Sequence, residues 1–195
     1  MGREVGISVM HSSSEGLPRS NMTPHLDDAR RLVAAQQGDD AALEWVFRTY
    51  QRPVYTLCHR LLSRADDAED ATQATFVGAF RALSRFRGQS SLKTWLYRIA
   101  VTESLSILRR RRSLPDVLQD DVPVGDGAAA IIERTAVQAV MRAMRPEQRL
   151  VLVLFYWEDL SCEEISAVLG VSLSGAKMRL KRARDEFERQ YGGDL

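Results

Sequence analysis

The chain has 195 residues, 45% of them apolar, and a formal net charge of +1, which fits one or two small globular domains and by itself says nothing of nucleic acid. Cys58 and Cys162 are its only cysteines, so no disulfide framework is indicated and a reducing cytoplasm is the expected setting. No apolar run approaches the roughly 20 residues of a membrane span, so no direct membrane insertion is expected, and no charged-then-apolar leader pattern is present.

Residues 1–24 mix Gly, Ser and Pro without a sustained period and are expected to form a flexible extension, with Met10 and Met22 as alternative starts. Leu26, Ala29, Leu32 and Val33 then fall at helical spacing until Gly38 stops them. Asp39 and Asp40 start a second helix striped by Leu43, Val46, Phe47 and Tyr50. Pro53 lacks an N–H, so a kink or break is expected there, after which Val54, Leu57, Cys58 and Leu61 continue the apolar face.

A third helix is expected from about Asp66 to Leu83. The acids Asp66, Asp67, Glu69 and Asp70 in its first turn suit the helix dipole. Its inward set is Ala68, Ala71, Thr75, Phe76, Ala79, Phe80 and Leu83. Gly78 inside it costs about 1 kcal/mol relative to alanine, so either the packing is close there or the helix is weak. Phe86 to Ser90 break the period, and Ser90 or Ser91 caps a long helix from Leu92 to Arg112 with apolar Leu92, Trp95, Leu96, Ile99, Leu105 and Leu108.

Residues 113–127 hold two prolines, two glycines and four aspartates, the composition of an extended acidic linker. A second domain, 128–195, opens with a helix from about Ala128 to Met144. Pro146 suits the first turn of the next helix, which is strongly apolar and ends near Trp157. No strand pattern of comparable strength occurs. The reading is an all-α fold: a helical domain over 25–112 and a second over 128–195, joined by the linker.

Leu160 to Arg184 reads as two short helices broken by a glycine. Ser161 can cap the first and close a capping box with Glu164. Ile165, Val168 and Leu169 give an apolar face, and Gly170 stands where a left-handed residue is wanted. Ser172 can cap the second helix, on which Ala176 and Leu180 face inward. Lys177, Arg179, Lys181, Arg182 and Arg184 carry its charge. This describes a DNA-binding helix-turn-helix; an ordinary helical hairpin with a solvated basic face is the alternative.

Charge is also concentrated upstream. From Ser84 to Ser113 eight basic residues face Glu103 alone, whereas residues 27–83 carry nine acids and seven bases. Within that basic stretch Phe86, Trp95 and Tyr97 alternate with Arg87, Lys93 and Arg98 and with small hydroxyls. Aromatic faces beside cations suit unpaired bases; a helix using Trp95 for its core and arginines for solubility is the alternative. His11, His25 and His59 are scattered, no metal-ligand spacing occurs, and no phosphate loop is present. No metal, no cofactor and no catalytic residue are expected.

Four blocks in this order resemble the sigma-70 family of RNA polymerase initiation factors, specifically its two-domain extracytoplasmic-function group. They are DAEDATQATF (Asp67 to Phe76), FRGQSSLKTWLYRIA (Phe86 to Ala100), the basic run after it, and MRPEQRLVLVLFYWEDLSCEEISAVLGVSLSGAKMRLKRAR (Met144 to Arg184). The resemblance implies a non-enzymatic factor that lends promoter specificity to core RNA polymerase. It implies polymerase contacts at Asp67, Asp70, Gln73 and Phe76. It implies opening and reading of the −10 element by Phe86, Arg87, Gln89, Ser90, Ser91, Lys93, Trp95, Arg98 and Thr102. It implies −35 duplex contacts by Ser172, Ser174, Gly175, Lys177, Met178, Arg179, Lys181 and Arg182.

Core polymerase, promoter DNA and an anti-sigma factor are the partners so implied, and the acidic linker would thread the polymerase channel. Ala74 stands where the family often has an acid, Gly78 where a longer polar residue is usual, and Thr102 where asparagine is frequent. The −10 base preference is therefore not transferable. Two rival readings are a dimeric helix-turn-helix regulator, which leaves the aromatic and basic Phe86–Arg112 block unexplained, and an enzyme acting on nucleic acid, for which the sequence supplies no ligands.

Overall fold

In the computed structural model, which describes residues 26–112 and 128–192, the first helix is α1 (Leu26–Gln36). It ends at Gly38, whose φ of 87° is a left-handed conformation that glycine adopts without a Cβ clash. Asp39 then caps α2 (Asp40–Leu62), its carboxylate accepting the Ala42 N–H at 2.8 Å. Of the kink or break expected at Pro53, the break does not occur. The helix runs through it, because one missing donor is outweighed by a stripe of buried side chains on both sides: Val46 before it, and Val54, Leu57, Cys58 and Leu61 after.

The third helix, α3 (Ala65–Ala82), tightens into a 3-10 turn over Leu83–Arg85. Ala68, Ala71, Thr75, Phe76, Ala79 and Leu83 are buried as the apolar period requires, while Phe80 is only half-buried and leans on the Phe76 ring at 5.8 Å. Gly78 is not a point of close approach: a Cβ there would lie 3.7 Å from Ile99 Cγ2, an ordinary contact.

The long helix α4 (Leu92–Arg112) packs on both α2 and α3, and α1 packs on α2. Its buried face differs from the one its large apolar residues suggest. Leu92, Leu96, Tyr97, Ala100, Val101, Ser104 and Ile107 face the core; Trp95, Ile99, Leu105 and Leu108 are half-buried. Small residues at 100 and 104 let the helix lie close to its neighbours, so the stripe is set by fit rather than by size.

The described residues from 128 onward belong to a second compact unit. It comprises α5 (Ala128–Ala143), α6 (Pro146–Leu152) continuing into a π turn over Val153–Trp157, α7 (Cys162–Leu169) and α8 (Leu173–Tyr191). Helix α8 is the hub, touching α5, α6 and α7. Its buried side is Ala176, Leu180, Ala183 and Phe187, and Leu150 to Leu154, Leu160, Ile165 and Val168 are buried in the same unit. The fold is all-α, with two helical units and no strand among the described residues. The N-terminal extension and the acidic linker expected from the sequence lie outside the described residues.

Candidate nucleic-acid interface

In the second unit, the two short helices are built as their caps dictate. The Ser161 N–H donates to Glu164 Oε2 at 2.9 Å and the Glu164 N–H to Ser161 Oγ at 3.2 Å, a complete capping box. Gly170 closes α7 at φ 64° and ψ 37°. The Val171 N–H then returns to the Ser166 carbonyl at 3.0 Å. Ser172 caps α8 by accepting the Gly175 N–H at 3.1 Å, and its oxygen also lies 3.1 Å from Ser174 Oγ. Ser172 and Gly175 thus fix the start of α8, as well as standing at its open end.

Burying Ala176, Leu180 and Ala183 turns the other side of α8 outward. Lys177, Met178, Arg179, Lys181 and Arg182 are all exposed, as are Leu173 and Ser174. Arg184 is different. Its guanidinium lies over the Phe155 ring at 4.8 Å and the Tyr156 ring at 5.4 Å, so it stacks within the unit rather than joining the outer charge. The result is a short helix entry followed by a cationic face of the width that a major groove admits.

In the first unit, the loop between α3 and α4 is held by a residue that no sequence motif flags. Gln36, at the end of α1, donates from Nε2 to the Phe86 carbonyl at 2.7 Å and to the Leu83 carbonyl at 3.3 Å. Beyond it Gly88 turns the chain at φ 67°, with no atom near an added Cβ. Of the two serines considered as caps, Ser91 does the work: its Oγ accepts the Thr94 N–H at 3.0 Å and lies 2.8 Å from Thr94 Oγ1. Arg87 and Gln89 are exposed, and Ser90 is half-buried.

The Phe86 and Trp95 rings meet at 5.2 Å with planes 47° apart, and both residues are half-buried rather than enclosed. Tyr97 does not join them. It is wholly buried, and the Lys93 ammonium sits 5.2 Å from its ring centroid. Along α4, Trp95, Arg98, Thr102 and Arg109 share the face opposite the core. Arg98 and Thr102 are exposed there, the Thr102 hydroxyl donating to the Arg98 carbonyl at 2.9 Å. The terminal arginine run is not uniformly free: Arg111 pairs with Asp67 at 2.7 Å, joining the end of α4 to the start of α3.

The four residues on α3 read as polymerase contacts do not share one environment. Asp67 is largely covered, its side chain 14% exposed. Phe76 is in the core, edge-on to Phe47 at 4.9 Å. Asp70 and Gln73 are exposed, one helical turn apart, and Val77 continues their stripe at 44% exposure. Phe47, 39% exposed on α2, lies beside this stripe through its contact with Phe76. Asp70 and Gln73 therefore present themselves outward, while Asp67 and Phe76 hold the helix that carries them.

Among the described residues no group of three or more His, Cys, Asp and Glu side chains is placed to hold a metal ion, and no helix is long and apolar enough to cross a membrane. Cys58 is buried, and that burial pushes its thiol pKa up.

Residues 46–114 match the family model described as Sigma-70 region 2, and residues 134–187 the one described as Sigma-70, region 4. Over 167 residues the chain is 35% identical to the ECF RNA polymerase sigma factor SigM of Mycobacterium tuberculosis, covering 85% of each. Among solved structures it is similar to CnrH in complex with the cytosolic domain of CnrY, with a TM-score of 0.67 and 24% identity over 86% of this chain and 99% of that one. It is also similar to the sigma factor RpoE in complex with the anti-sigma factor NepR from Bartonella quintana, with a TM-score of 0.62 and 22% identity over 78% of this chain and 98% of that one.

Proposed function

This chain belongs to the sigma-70 family, in its extracytoplasmic-function group, and from that premise we propose how its residues divide the work of starting transcription. As a sigma factor it binds core RNA polymerase and directs promoter-specific initiation. The finer assignment is that residues 25–112 engage polymerase and the −10 element while residues 128–195 engage the −35 duplex. The chain itself does no bond chemistry; polymerase carries out phosphoryl transfer, in the cytoplasm.

Asp70 and Gln73 supply the polar contacts to polymerase from the outer stripe of α3, with Asp67 and Phe76 supporting them from within. In the −10 region, Arg87, Gln89, Lys93 and Arg98 attract the phosphate backbone. Ser90, Ser91 and Thr102 add hydroxyls near it, and the rings of Phe86 and Trp95, neither of them fully buried, stack on bases once these are unpaired. On the −35 duplex, Ser172, Ser174 and Gly175 bring the start of α8 to the backbone. Lys177, Met178, Arg179, Lys181 and Arg182 meet phosphates and base edges.

The observation that carries this reading is the partly open Phe86–Trp95 pair standing beside exposed Arg98. A helix-turn-helix regulator that grips only duplex DNA has no need of it. An anti-sigma factor is the further partner proposed. It fits a chain whose polymerase-facing stripe mixes Asp70 and Gln73 with exposed Val77 and Phe47, and RpoE of Bartonella quintana was solved with one.

Run-off transcription with core polymerase on a promoter library tests the whole reading, since it scores activity and reads out the motif together. Lys177→Ala and Arg179→Ala are expected to weaken −35 recognition while polymerase binding persists. Unchanged transcription from a cognate promoter in both variants would remove the −35 assignment. Trp95→Ala is expected to reduce permanganate reactivity in the open complex more than it reduces duplex binding. Full reactivity in that variant would remove the stacking role.

A further inference from the structure

The fold makes no use of the side chain of Met178. It is 55% exposed on α8, and Leu173 at the tip of the same helix is 37% exposed. At about 100° per residue, Met178 points away from the buried stripe of Ala176, Leu180 and Ala183. Ser174 lies one turn before it on that outer face and Arg182 one turn after, both exposed. A thioether or an isobutyl group has no N–H or O–H to give a phosphate oxygen. Met178 and Leu173 therefore add nothing to the backbone attraction that the surrounding lysines and arginines provide.

Those cations nevertheless make duplex DNA the charge-complementary occupant of this face. In a major groove the base edges present one apolar feature, the C5 methyl group of thymine, and apolar side chains contact it. Resting on the assignment of α8 to the −35 duplex, we propose that Met178 reads a thymine methyl group, so that a thymine at a fixed place is part of the −35 element this chain selects. The contact discriminates by shape and desolvation rather than by hydrogen bonding. Its weight is that of one methyl group taken from water, about fourfold in affinity at roughly 0.8 kcal/mol.

The test uses the full chain assembled with core RNA polymerase. Duplexes are selected from a randomised pool, and each thymine of the selected −35 region is replaced in turn by deoxyuridine, which lacks only the methyl. At one position the replacement is expected to weaken binding about fourfold for the wild type and for Met178→Leu, and to have no effect for Met178→Ala. Leu173→Ala, about 140° round the helix from Met178, is expected to keep the full penalty. Met178 and Leu173 are both on the surface, so these variants fold. A selected element without thymine, no uracil penalty anywhere, or an equal penalty in wild type and Met178→Ala overturns the proposal while leaving α8 as the duplex reader. If the pool yields no enriched −35 sequence at all, the −35 assignment fails and the methyl contact with it.

Discussion

At the scale of single residues, the informative cases are those whose type alone misleads. Gly78 looks like a position of close approach within α3, yet a Cβ there meets Ile99 at 3.7 Å and the backbone is helical. Alanine therefore fits without displacing a neighbour and removes freedom from the unfolded chain. Gly78→Ala is expected to stabilise the first unit by about 0.5–1 kcal/mol, measurable as a raised denaturation midpoint with an unchanged slope; a lowered midpoint would mean that Ile99 cannot yield. Tyr97 is the opposite case. Its neighbours in sequence are basic and aromatic, but it is buried and Lys93 covers its ring. Arg184 and Arg111 likewise read as surface charge and are engaged within their own units. A one-dimensional pattern gives residue type and period. It does not say which cation will find an aromatic face or a carboxylate close by.

At the scale of elements, the chain was far more legible, and the reason is local chemistry. The Ser161–Glu164 box, the Gly170 stop and the Ser172 cap are each decided within four residues, so sequence alone is enough to find them. The apolar period also located the helices α1 to α4, though not always the face each buries: Val33 of α1 is exposed while Ala35 is buried. Where tertiary fit decides, period and residue type are not enough: α2 continues unbroken through Pro53 because packing on both sides sustains it, and α4 buries Ala100 and Ser104 in preference to Leu105 and Leu108. The contacts that shape the loop before α4 were invisible for a third reason. Gln36 is an ordinary residue at an ordinary helix end. A test at this scale is Gly170→Ala. At φ 64° a Cβ crowds the backbone by about 1–2 kcal/mol, so this variant is expected to lower the stability of the second unit by that amount. No loss on thermal denaturation would mean that the turn re-forms in another conformation.

At the scale of the whole molecule, a net charge of +1 conceals two cationic surfaces of different chemistry. Attraction to DNA should accordingly be steep in salt although the protein is nearly neutral. For the chain assembled with polymerase, Lys181→Ala is expected to reduce the slope of log affinity against log salt by about one. Met178→Ala is expected to leave that slope unaltered, because no counterion is released at a thioether. Equal slopes for wild type and Lys181→Ala would mean that Lys181 touches no phosphate. The Gln36 bond has its own consequence at this scale. It joins residues 50 apart in sequence, and contacts of such long range close late when a chain folds. The loop carrying Phe86 therefore gains its shape only after α1 has docked. Once it has done so, the loop is held in one shape, so that the DNA contact proposed for Phe86 would have less disorder left to remove on binding.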